Sequence, residues 1–119
     1  MGTNCKIVIG YTDHIGWWKS TKAYYRHYDG YSEAILPLLK KFTTSENGVD
    51  IPAMNEVAEF KSHKFEECNN PWDYGTTNYM YFIDESDRGN IKCTVLTEDI
   101  QFSRMFNIHN MMVEQVLNL

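Results

Sequence analysis

Residues 76–96 constrain the fold most. Residues 76–84 (TTNYMYFID) and 91–96 (IKCTVL) are β-favouring runs, separated by Ser86, Asp87, Arg88, Gly89 and Asn90, a set of turn formers. Strand alternation puts Asn78, Met80 and Phe82 on one side of the first run and Tyr79, Tyr81 and Ile83 on the other. In the second run Ile91, Cys93 and Val95 point inward, and Lys92 and Thr94 outward. Two such runs around a short turn predict an antiparallel hairpin.

The rest of the chain adds further strands and helices. Residues 6–11 (KIVIGY) predict a short apolar strand and residues 20–28 an aromatic-rich second one. A turn at Asp13, His14, Ile15 and Gly16 and a wide loop carrying Trp17 and Trp18 join them. Ile35, Leu38, Leu39 and Phe42 fall at i, i+3, i+4 and i+7, the spacing of one helix face. Ser32 is the expected N-cap, and Lys40 and Lys41 suit the dipole at the far end. Pro37 implies either an irregular first turn or a regular helix beginning nearer Leu36. Residues 45–48 break the chain. Asp50, Ile51 and Pro52 read as a second helix start, whose apolar face (Met54, Val57, Ala58, Phe60) runs to about Lys64. Residues 68–75 read as a loop holding Trp72. The tail suggests a short strand at 100–106 and a C-terminal helix on Ile108, Met111, Met112, Val116 and Leu117.

This order has no βαβ alternation. It predicts an α+β fold, an antiparallel sheet of four to five strands with two to three helices packed on one face. At 119 residues the chain is expected to form a single domain, 1–119. Its 43% hydrophobic and 14% aromatic content is that of a folded chain, not a disordered one.

Charge bears on partners. The net charge of −5 argues against generic nucleic-acid binding, which depends on Lys and Arg. Residues 1–64 hold eight Lys/Arg against seven Asp/Glu, whereas residues 65–119 hold three against nine. The C-terminal half is the acidic half. It reads either as a solvated surface or as a face for a basic partner. Cys5, Cys68 and Cys93 are odd in number and far apart, so a disulfide framework is not expected and a reducing interior is. No signal peptide and no apolar run near a membrane span is read, so a cytoplasmic location is expected.

The densest chemistry is the run Tyr24-Tyr25-Arg26-His27-Tyr28-Asp29-Gly30-Tyr31. On a strand, Lys22, Tyr24, Arg26 and Tyr28 share one face: cation, ring, cation, ring. A guanidinium between rings suits a phosphate or carboxylate. His27 falls on the opposite face, and Asp29 at the strand end can pair with Arg26 or His27 or shape the turn. The functional interpretation is an anionic, ring-bearing small ligand such as a nucleotide, with Lys22 and Arg26 as anion contacts, and Tyr24, Tyr28 and Trp17 or Trp18 as stacking surfaces. His27, Asp29 and Tyr31 would orient it. The structural interpretation has Asp29 capping a turn, Arg26 paired to it and the tyrosines covering a sheet face.

Other chemistry is sparse. No P-loop, nucleophile elbow or dinucleotide fingerprint is present. His63 and Cys68 lack a second ligand pair at zinc spacing, so no metal or cofactor is expected. Asp84, Glu85 and Asp87 read as a solvated turn. His27 and Asp29 are an acid–base pair by spacing alone.

The stretch YRHYDGYSEAILPLLKKF resembles a motif of small uncharacterised bacterial and phage proteins, Y-R-H-x-D-G-Y-P-E-G-V before a Leu-rich helix. Tyr25, Arg26, His27, Asp29, Gly30, Tyr31 and Glu33 match; Ser32 and Ala34 replace the usual Pro and Gly. The match covers under a fifth of the chain. The resemblance implies a phage or bacterial origin, and with it an antagonist of host defence that sequesters a signalling nucleotide or blocks a protein.

The leading expectation is thus a non-enzymatic nucleotide-binding protein, as a homo-oligomer. The alternative is a protein–protein inhibitor or adaptor that meets a host protein through the acidic half and exposed aromatics. An enzyme acting on a phosphorylated substrate is the third.

Overall fold

The computed structural model describes residues 3–57, 64–68, 78–97 and 112–118. In chain order the elements are β1 (Cys5–Thr12), β2 (Trp18–Arg26), α1 (Ser32–Lys41), β3 (Thr43–Thr44), β4 (Gly48–Val49), α2 (Ile51–Asn55), β5 (Glu66–Glu67), β6 (Tyr79–Asp84), β7 (Lys92–Thr97) and β8 (Met112–Asn118). β5, β2, β1, β6, β7 and β8 lie side by side in that order as one six-stranded sheet, and β3 and β4 form a separate ribbon. The fold is α+β with mostly antiparallel pairing.

The sheet corrects the expectation in its pairing. Five strands of four or more residues and the two-residue β5 make it up, and it is mixed, not purely antiparallel, because β1 pairs with β6 in parallel, Cys5 opposite Tyr79 through Gly10 opposite Asp84. β1 is buried from Cys5 to Gly10, as a central strand covered on both faces must be. A parallel partner needs a long crossover, which the chain between Thr12 and Tyr79 supplies.

β8 replaces the C-terminal helix expected on Met112, Val116 and Leu117. A short apolar run fits either period. Here pairing decides: β8 closes the outer edge of β7, from Lys92 opposite Asn118 to Thr97 opposite Met112, and so satisfies backbone groups that the edge would leave open. The strand expected at 100–106, Ile108, Met111, Trp72, His63 and the second helix beyond residue 57 lie outside the described residues.

The two hairpins form as expected. β6 and β7 pair from Tyr79 opposite Thr97 to Asp84 opposite Lys92. β1 and β2 pair from Cys5 opposite Arg26 to Thr12 opposite Trp18, with a register shift between Ile9 and Gly10. β2 ends at Arg26, two residues before the expected end, so Tyr28 is off the strand.

Helix α1 starts at Ser32, with Tyr31 as its N-cap residue and no side-chain cap. Ser32 is thus the first helical residue, not the cap. The Tyr31 carbonyl accepts from the amides of Ala34 (3.0 Å) and Ile35 (3.1 Å). The helix runs through Pro37 from Ser32 instead of beginning nearer Leu36. Pro37 is exposed, and so is Glu33, whose carbonyl loses its usual donor. In α2 the Asp50 carboxylate accepts the Ala53 amide at 3.1 Å, a side-chain cap.

Sheet alternation sorts the core into two clusters. Cys5, Ile7, Ile9, Tyr81, Ile83, Cys93 and Val95 join Ile35 and Leu39 of α1 and Ile51 and Met54 of α2 in the larger one. Val8, Ala23 and Met80 form the smaller one, with Trp18 and Phe82 packed against it. Cys5, Cys68 and Cys93 are free thiols. No helix among the described residues is long and apolar enough to cross a membrane.

Candidate functional site

The register that sets Arg26 opposite Cys5 puts its side chain on the core side of β2. There the side chain is fully buried, the largest such side chain among the described residues. Its Nε donates to the carbonyl of Tyr28, and its Nη2 lies 3.7 Å from the Asp29 carboxylate. The guanidinium also sits over the Phe65 ring, 5.7 Å from its centre. Asn55 fixes Phe65 by accepting its amide (2.8 Å) and donating to its carbonyl (3.2 Å). Burial lowers the Arg26 pKa, while Asp29 and Cys5 act in the opposite sense. Arg26 therefore closes its own turn.

The next two residues belong to that turn. Asp29 adopts φ of 56°, a left-handed conformation that short polar side chains tolerate. Gly30 has no room for a side chain, since an added Cβ would come within 2.6 Å of the Cys5 Cβ. Its amide donates to the Thr3 carbonyl at 2.7 Å, and its carbonyl accepts the Tyr81 hydroxyl at 2.6 Å.

What faces outward is a cluster of rings. The Tyr25 hydroxyl and His27 Nδ1 are 2.9 Å apart, and the His27 and Tyr28 rings meet edge-on at 4.6 Å. Tyr28 and Tyr31 are each 38% exposed. His27 is engaged with Tyr25 and Asp29 with Arg26, so the acid–base pair suggested by their spacing is not assembled. Lys22 is exposed but lies opposite Ile9, on the other side of the strand from Tyr25, and Tyr24 packs against the core. Lys6 is the register partner of Tyr25 on β1. On the other flank β5 places Glu66 opposite Tyr25 and Glu67 opposite Tyr24, both glutamates exposed.

Trp17 and Trp18 are at the far end of β2, about 25–30 Å from Arg26 by strand length. They do not join the tyrosines, and they part company with each other. Trp18 meets Phe82 edge-on at 5.7 Å and donates through Nε1 to the Ser20 hydroxyl. Trp17 is 69% exposed and Ile15 66%. Asp13 pins their turn: its carboxylate accepts the amides of Ile15 (3.1 Å) and Trp17 (2.9 Å), and its own amide donates to the Trp17 carbonyl. Gly16, at φ of 91°, supplies the left-handed step.

A cleft that sequence reasoning missed opens at the carboxyl ends of the parallel pair. It measures about 480 Å³ and is lined by Tyr11, Thr12, Thr21, Glu85, Ser86 and Arg88, with Gly10 at its base. Asp84 ties the two strand ends together by accepting the hydroxyls of Thr12 and Ser86 and the Ser86 amide. Burial alone would raise the Asp84 pKa, but the Ser86 and Thr12 bonds and Lys92 bring it below the ordinary value. Arg88 donates to the Glu46 carbonyl and lies 3.9 Å from Glu85. The sequence signal was an arginine inside a turn read as merely solvated. Small-ligand sites in α/β sheets favour such strand ends, but a parallel pair was not visible in the sequence.

The outward chemistry of the arrangement is rings with charged neighbours. No family model matches this chain, and no curated protein or solved structure does.

Proposed function

We propose that the protein is a non-catalytic inhibitor or adaptor that docks a protein with a basic surface on the patch formed by Tyr25, His27, Tyr28 and Glu66. One observation carries this reading: β5 sets an exposed glutamate directly beside the outward ring cluster. Tyrosines are frequent interface anchors, and flanking carboxylates select a basic partner. With Arg26 buried, the strongest cation of the run is withdrawn from solvent. A phage origin would make the partner a host protein.

The test is capture by a photo-crosslinking residue at position 28, followed by affinity measurement with the purified captured protein. Tyr28→Ala and the double change Glu66→Lys/Glu67→Lys are each expected to weaken binding about tenfold or more, and added salt to weaken it further. Binding indifferent to all three would refute the reading.

A second reading is the anionic, ring-bearing ligand, favoured by the edge-on His27–Tyr28 pair. It predicts that a nucleotide or cyclic dinucleotide raises the melting temperature and that Tyr28→Ala removes the rise. No rise across such a panel eliminates it.

A further inference from the structure

The parallel pairing of β1 with β6 sends the turns of both hairpins to the same end of the sheet. There the β1–β2 turn projects past the last ladder pair, Thr12 opposite Trp18. It carries Ile15 and Trp17, 66% and 69% exposed, the two most exposed large apolar side chains among the described residues. We propose that this tip is a peripheral membrane contact, in which Ile15 and Trp17 enter the headgroup boundary of an anionic bilayer and Lys19 and Lys22 meet its phosphates. It is a surface contact, not a span. The tip is at the opposite end of β2 from the Tyr25 patch, so the proposal stands whether or not that patch binds a protein.

The backbone of the turn is ready to leave water. Four of the five amides from Asp13 to Trp17 have acceptors inside the turn. The Asp13 amide donates to the Trp17 carbonyl at 2.9 Å and the Gly16 amide to the Asp13 carbonyl at 3.0 Å. The amides of Ile15 and Trp17 donate to the Asp13 carboxylate. An amide without a partner is costly in an apolar phase, so such closure is what entry into lipid requires. The same bonds hold Ile15 and Trp17 outward before contact, which spares the cost of ordering them. His14, also exposed, has an apolar ring body that a headgroup layer tolerates.

Shape and residue type favour lipid over protein. A fluid bilayer accepts a convex knob of any outline, whereas a protein needs a hollow shaped to it. Tryptophan suits the boundary itself, with its ring in the apolar layer and its N–H at the wet side.

Charge selects an anionic surface. At this end the two hairpins expose Lys19, Lys22, Arg88 and Lys92 against Asp87, and the neighbouring ribbon adds Glu46. Asp13, Asp84 and Glu85 are half-buried, and each carboxylate accepts at least one backbone amide. The solvent-facing balance here is basic, in a chain whose net charge is −5. Each basic side chain near an anionic leaflet adds attraction that falls off within a Debye length.

Co-sedimentation of the full chain with phosphatidylcholine vesicles, with and without phosphatidylglycerol, tests this. Binding is expected to the anionic vesicles above all, and to weaken as salt is added. Trp17→Ala and the double change Lys19→Glu/Lys22→Glu should each lower the partition coefficient about tenfold or more. These three positions are exposed, so the fold should tolerate the changes. Tyr28→Ala, at the other end, should leave vesicle binding unchanged. Lipids brominated in the acyl chain should quench tryptophan emission in the wild type and not in Trp17→Ala, which separates insertion from charge attraction alone. A wild type that ignores the anionic vesicles overturns the proposal and leaves a protein as the partner of the tip. So does binding that survives Trp17→Ala, or that is equal on the two kinds of vesicle.

Discussion

The Tyr81 hydroxyl donates to the Gly30 carbonyl across 2.6 Å in the buried interior. This bond ties β6 to the turn that precedes α1, so the β6–β7 hairpin anchors the densest run of the sequence. Burial pushes the Tyr81 phenol above its ordinary pKa and keeps it a neutral donor. Tyr81→Phe leaves a buried carbonyl without its donor and should reduce stability by about 1–3 kcal/mol. Urea unfolding measures this, and a loss under about 0.5 kcal/mol would show that the bond is not needed.

Arg26 should behave as a structural residue. Removing it deprives the Tyr28 carbonyl of a donor and leaves a void beside Phe65. Arg26→Ala should therefore destabilise by about 2–4 kcal/mol. Lysine should not rescue it, since one ammonium cannot replace a planar fork that meets a carbonyl, a carboxylate and a ring. At Asp29, whose carboxyl is 59% exposed, asparagine should cost under about 1 kcal/mol, whereas valine, strained at positive φ, should cost more. Thermal unfolding of the four variants gives the ranking, and a stable Arg26→Ala would contradict it.

Asp84 gives the protein an acid-sensitive clamp. Its folded pKa lies below the ordinary 3.8, so the folded state holds the proton less tightly than the unfolded chain does. The resulting stability is complete above the unfolded value and is lost as pH falls through the folded one. Asp84→Asn should be less stable than wild type by about 1 kcal/mol at neutral pH, with the gap closing below about pH 4. Denaturation at pH 7 and pH 3 compares the two, and a gap that ignores pH would rule the clamp out.

Thiol reactivity should follow burial. Burial pushes the Cys5 and Cys93 thiols up to about 12, and both residues are inaccessible. Cys68 is only half-buried, although its pKa is raised as well, first by burial. An aromatic disulfide reagent at pH 8 should modify Cys68 first and all three only after denaturation. Fast modification of Cys5 or Cys93 in the folded protein would contradict the packing.

Much of the fold could be read from local pattern. Ile91, Cys93 and Val95 point inward because a two-residue period with one apolar face leaves a single register. Ile35 and Leu39 are buried because helical spacing aligns them. The parallel pairing of β1 with β6 was not legible, since it joins residues more than seventy positions apart and nothing local records it. β8 was misread because Met112, Val116 and Leu117 suit two periods, and only the open edge of β7 chooses between them. In the Tyr24–Tyr31 run the residue types were visible but their directions were not. Register with β1 turns the guanidinium inward and Tyr25 to the other face, and ending β2 at Arg26 takes His27 and Tyr28 off the strand. Glu66 became part of the patch only through a strand of two residues, too short to carry a period.

The proposed recognition surface is a ring cluster made selective by neighbouring carboxylates, and one affinity comparison tests it most directly. The partner captured at position 28 is titrated with wild type and with Glu66→Lys/Glu67→Lys, at low and moderate salt. The double variant is expected to bind about tenfold or more weaker at low salt, with the difference shrinking as salt screens it. Equal affinity, or tighter binding by the lysine variant, would contradict the account and point back to an anionic ligand.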